Sequence, residues 1–188
     1  MKKQDKIDLI ASAIGKYRMV RLWFRYEANY WYFYPHAVND KLILGQEEDD
    51  FLLNGYQIRK ISDLRKAEIK SDLCGQISVW AGVISSVRDP GVDLSSWQTV
   101  FRSPALQNTF VIVEDEYHEV FRLGLIRKVC ARYVSLYSID ADGVYEEEPF
   151  DFPYSRITSV SWGTRYSETW YQYAKAHGLL PGMTAGQA

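Results

Sequence analysis

A helix-patterned segment followed by five strand-patterned segments occurs twice in this chain, and that repetition restricts its fold more than any other feature. Residues 5–16, DKIDLIASAIGK, place Ile7, Ile10, Ala11 and Ile14 at helical spacing, with Asp5 as the expected N-cap. From Val20 the period becomes two, Val20, Leu22, Phe24 and Tyr26 alternating with Arg21, Trp23 and Arg25. A run of five aromatics, Tyr30 to Tyr34, reads as the second strand and KLILG (41–45) as the third. EEDD (47–50) reads as a solvated hairpin tip. FLLNGYQIRKISDLRKAEIK then gives two further strands about an Asn54-Gly55 turn.

The second half keeps this order with TFVIVEDEY (109–117), VFRLGLIRKVCA (120–131), YVSLYSI (133–139), an acidic hairpin and YSRITSVSW (154–162). Val20 and Ile112 lie 92 positions apart, as do Leu44 and Leu136. The segment from Arg59 precedes that from Ser155 by 96, the second acidic hairpin being longer. Helix starts are expected at Ser71-Asp72 and at Ser167-Glu168, with another helix around DLSSWQTVFRSPA. The matching phase implies an internal repeat. Its expected divisions are a first domain over 1–83, a Pro90-Gly91 linker over 84–93, a second domain over 94–180 and a flexible tail over 181–188.

Aromatics make up 15% of the 188 residues, which favours strands and a mainly β (α+β) class. Short, bent antiparallel strands after a helix fit a pair of tandem Sm-like or SH3-like five-stranded barrels, each with flanking helices. A net charge of −2 argues against a dedicated binder of double-stranded nucleic acid. Asp5, Lys6 and Asp8 interrupt the N-terminal apolar residues, so no signal peptide is expected, and no apolar run is long enough to span a bilayer. Cys74 and Cys130 lie 56 residues apart and are expected as reduced core thiols of a cytoplasmic protein.

DDFLLNGYQIRKISDL (49–64) resembles a DDF-x-L-x-G-Y segment found in uncharacterised bacterial proteins. YSIDADGVYEEEPFDFPYSRITSVSWGTRYSE (137–168) resembles a companion segment of similar families. The resemblance implies the tandem small-barrel fold and no chemistry. The chain lacks the Asn and Arg-Gly signatures with which Sm proteins hold uridines.

No catalytic constellation stands out. His36, His118 and His177 are scattered, and no phosphate-binding glycine motif is present. The acidic runs 47–50, 114–116 and 146–148 do not suit a metal, because consecutive carboxylates on a strand face opposite ways. No cofactor and no metal are expected, and the chain reads as a non-enzyme. Arg21, Trp23 and Arg25 share one side of the first strand, and Tyr30, Tyr32 and Tyr34 share one side of the next. The repeat sets Trp31 and Phe33 against Leu123 and Leu125, which assigns them to the core. The resulting aromatic–Arg face, Arg21, Trp23, Arg25, Tyr30, Tyr32 and Tyr34, is the candidate site. Its residue types suit a protein partner or self-association in an adaptor module. Single-stranded RNA or DNA is the alternative ligand, through phosphate contacts and stacking. Trp170, Tyr171 and Tyr173 on the last helix add more aromatic surface than one barrel needs.

Overall fold

A computed structural model describes residues 1–140 and 142–181. The tail expected over 181–188 lies outside the described residues from position 182 on. The chain is mainly β, with antiparallel strands, and divides into two compact units that meet between Ser95 and Ser96. Among the described residues no helix is long and apolar enough to cross a membrane.

The first unit holds α1 (Lys3–Ala11), β1 (Val20–Phe24), β2 (Tyr30–Val38), β3 (Leu42–Asp49), β4 (Leu52–Lys60), β5 (Leu64–Ile69) and α2 (Leu73–Trp80). Its strands lie in the order β5-β1-β2-β3-β4, with a 3-10 turn, Ile61–Asp63, between the last two. The alternation in β1 acts as expected, since Val20, Leu22 and Phe24 are wholly buried. They form a core with Phe33, Ile43, Ile61, Leu64 and Ala67, and Trp31 packs half-buried against it. Ile10 of α1 and Ala13, in the turn after it, close this core. Ala11 is exposed, and Lys6 is buried instead, with its ammonium on the Leu64 carbonyl. Lys2 occupies the N-cap, and Asp5, one turn in, accepts the Lys2 backbone N–H at 3.0 Å.

Other expectations are corrected. The Asn54-Gly55 pair does not turn the chain, because β4 runs through it. The turn is made at Asp50 and Phe51, both at positive φ (46° and 65°). Gly55, at φ 75°, sits where the β3–β4 register slips between Gln46 and Glu48. It thus forms a bulge, which adds a residue to one strand and bends it. EEDD is a solvated tip only in its second half: Asp49 and Asp50 are exposed, but Glu47 and Glu48 are each 6% exposed on β3. The segment expected as a linker is in part packed, Val87 and Val92 being buried, Val87 against Met19 and Tyr34. Cys74 is exposed on α2, and Cys130 lies at an intermediate depth.

The second unit contains α3 (Trp97–Arg102), β6 (Val111–Asp115), β7 (Val120–Val129), β8 (Tyr133–Ile139), β9 (Phe150–Pro153), β10 (Ser159–Trp162) and α4 (Arg165–Ala176). Its strand order, β10-β6-β7-β8-β9, has the same sequence of neighbours as the first unit. The register refines the repeat: Val20 pairs with Phe33 whereas Ile112 pairs with Leu123. The offset is therefore 92 on the first strand of each unit but 90 on the second, the connection between them being shorter. Trp31 corresponds to Phe121, and only Phe33 to Leu123. Phe110, Ile112, Leu123 and Ile139 form the second core, which Ala174, Trp170 and Tyr171 of α4 cover. Buried Asp115 accepts from Arg156 Nε at 2.7 Å and lies 2.8 Å from His118, fixing the turn before β10 to the end of β6.

Candidate functional site

The face of β1 opposite the core carries Arg21 and Trp23. Antiparallel register sets Tyr32 and Tyr30 beside them on β2, and Glu68 and Lys66 beside them on β5. The Arg21 guanidinium lies 4.7 Å from the Tyr30 ring centre, 5.5 Å from that of Tyr32 and 5.7 Å from that of Trp23. Lys66 Nζ stands 4.6 Å over Trp23, and Lys70 Nζ 4.1 Å over Tyr32. A cation over a ring face is held by the ring quadrupole, so this side of the sheet is a set of ring–cation stacks.

The cations are also paired. Arg21 Nη2 donates to Asp72 Oδ2 at 2.9 Å, and Glu68 lies 3.8 Å away. Lys70 donates to the Tyr32 hydroxyl at 2.8 Å and to Asp72 at 3.1 Å. Asp72 additionally accepts the Gly75 N–H at 3.2 Å, so the carboxylate that pairs the cations also caps α2. Burial pushes the Tyr32 hydroxyl up, but hydrogen bonds from Lys70, Tyr30 and Arg21 outweigh it and set the group below the usual phenol range. Burial likewise works against the Lys70 charge, yet Tyr32 and Asp72 hold that ammonium above its ordinary value.

The same tyrosines, at the start of β2, also border a groove of about 580 Å3. Its walls include Glu27, Trp31, Glu47, Glu48, Asp49 and Asn54, and no lysine or arginine among the described residues. Beneath it lies Arg59 of β4, 1% exposed, its guanidinium 4.6 Å from the Phe24 ring and 5.0 Å from that of Trp31. Arg59 donates to Glu27 at 2.6 Å and to Gln57 at 2.7 Å, and the Trp31 indole N–H also donates to Glu27. Those bonds compensate a guanidinium that would otherwise be costly to bury. Glu48 accepts the Phe51 N–H at 2.6 Å. Burial raises the carboxyls of both Glu48 and Glu47, that of Glu47 to about 7.

Four of the six residues expected at the site are brought together: Arg21, Trp23, Tyr30 and Tyr32. Tyr34 is not among them. It is 2% exposed, because the chain after α2 folds back and covers it with Val83 and Val87. Arg25 is exposed but lies past the end of β1, where a register shift between Trp23 and Phe24 breaks the alternation that would align it. Lys66, Glu68, Lys70 and Asp72 were missing from the expected set, although their spacing of two, along β5 and on to the cap of α2, was a visible signal. Arg59 and Glu27 gave no such signal, since their meeting depends on tertiary packing. His36, His118 and His177 belong to separate surroundings, and no group of three metal-binding side chains gathers among the described residues. Comparison with family models, curated proteins and solved structures finds no match.

Proposed function

We propose that this chain is a non-enzymatic interaction module that binds a protein partner through the aromatic surface of its first unit. One observation carries the reading: the rings of Tyr30 and Tyr32 lie between a charge-compensated cationic face and an acidic groove. A protein surface of mixed charge can complement both sides, with exposed aromatic and Arg groups supplying contact area at low entropic cost. The same proposal includes the fold type, each unit being a small barrel of the Sm/SH3 kind. In support of it are the shared strand order, the 3-10 turn before β5 and the bulges that bend the strands.

Single-stranded nucleic acid is the second reading, favoured by the three cations poised over rings. It is the weaker one. Glu68 and Asp72 already pair with those cations, and a phosphate chain crossing β2 would meet the carboxylates of the groove. Two measurements separate them. Immobilised chain should retain a specific protein that Trp23→Ala and Tyr30→Ala variants release, and filter binding of mixed oligonucleotides at low salt should show no retention. Salt-sensitive oligonucleotide binding, lost in Arg21→Ala, would reverse the ranking.

A further inference from the structure

The groove beside Tyr30 and Tyr32 has a composition that the cationic face does not explain. Glu27, Glu47, Glu48 and Asp49 border it together with three aromatic rings. Its volume lies within the range of ordinary ligand pockets, about 300–1,000 Å3. Rings of this wall already hold guanidinium groups within the protein, Arg59 against Trp31 at 5.0 Å and Arg21 against Tyr30 at 4.7 Å. The wall is thus selective for cations by two independent means, carboxylate charge and ring faces.

We propose that this groove accepts a lysine or arginine side chain from a basic segment of the protein partner, with Glu47 as its buried counter-ion. The inference rests on the protein-partner reading above and specifies what is recognised. Glu47 is 6% exposed, and an ionised carboxylate at that depth destabilises a fold unless a cation compensates it. The groups that face it are Asn54 and Arg59 from β4, Asp49 on its own strand and Glu27 from the β1–β2 connection. Arg59, however, is already bonded to Glu27 and Gln57. Burial, reinforced by Asp49 and Glu27, prevails over Asn54 and Arg59 and keeps the Glu47 proton on up to about pH 7. A basic side chain entering the groove would add positive charge to that of Arg59 and release that proton. Binding therefore strengthens as pH rises through neutrality.

The experiment titrates the full chain with a pentaarginine peptide, acetylated and amidated, at low salt and at pH 6 and pH 8. The readout is the Trp31 indole N–H together with the amides of residues 27–32 and 47–49 in 1H–15N spectra. These signals should shift, with binding at least about threefold tighter at pH 8. Glu47→Gln should weaken binding about fivefold at pH 8 and reduce the pH dependence to the part that Glu48 contributes. Tyr30→Ala, at a side chain too exposed to endanger the fold, should weaken it about threefold. A pentaglutamate peptide should shift nothing. Pentaarginine shifts located elsewhere, or unaltered binding and pH dependence in Glu47→Gln, would overturn the inference. Should the peptide fail while Trp23→Ala still releases a captured partner, the inference falls and the protein-partner reading stands. Should the peptide bind as expected while Trp23→Ala and Tyr30→Ala leave capture unchanged, the groove inference stands and that reading falls.

Discussion

Gly45 lies under the ring of Phe33 where β3 passes β2. A Cβ there would come within 2.5 Å of Phe33 Cδ1 and 3.1 Å of its Cβ. Gly45→Ala should therefore cost about 1–3 kcal/mol, seen as a lower urea midpoint with an unchanged slope. Gly124→Ala should cost more, because its Cβ would meet the Tyr137 carbonyl oxygen at 1.9 Å, and backbone cannot step aside as a ring can. Glu47 gives a prediction of opposite sign. Its carboxyl holds a proton to about pH 7 in the fold, against an ordinary value of 4.5. Between those values the folded state binds more protons, so stability declines as pH rises through that window. Glu47→Gln should raise the melting temperature at pH 8, by an amount equivalent to about 2 kcal/mol, and the gain should vanish near pH 4.5. A variant that is more stable yet binds the basic peptide less well would mark Glu47 as retained for recognition.

Helix starts show how far local chemistry can be read and where it stops. A hydroxyl cap near residue 167 was visible in the sequence, but α4 begins one turn earlier. Thr164 accepts the Ser167 N–H at 3.0 Å, and Ser167 Oγ accepts the Thr164 N–H at 3.2 Å, so Ser167 is the far side of a reciprocal cap. Thr164→Ala should cost about 1 kcal/mol in chemical unfolding, and it should loosen the Trp170 and Tyr171 contacts with the second core. The strands of the first unit were legible from alternation as far as residue 45, because a half-buried sheet imposes period two. Past that point the Asn54-Gly55 pair was misleading, since Gly at positive φ serves a bulge as readily as a turn. The turn itself uses Asp50 and Phe51, and Phe51 carries no turn signature.

Across the whole molecule, two units of equal strand order treat similar acidic runs differently. Glu47 and Glu48 are buried on β3, while Glu146, Glu147 and Glu148 are exposed in the longer hairpin of the second unit. A Glu-specific endoprotease in limiting amount should therefore cut first after Glu146 or Glu147 and leave the first acidic run intact, as mass spectrometry of the fragments would show. Sequence alone could not separate the two runs, because their burial depends on which residues lie across the strand. The repeat was visible as phase. The aromatic–Arg face was visible in four of its members, and the groove was not visible at all, being assembled from the β1–β2 connection and residues of three strands. Asp72 has one more consequence. The carboxylate that caps the first turn of α2 also neutralises Arg21 and Lys70. The start of α2 and the charge balance of the aromatic face thus share one carboxylate. Unwinding that turn would free Asp72 from the Gly75 N–H and loosen its hold on both cations, leaving Arg21 to Glu68 and Lys70 to the Tyr32 hydroxyl.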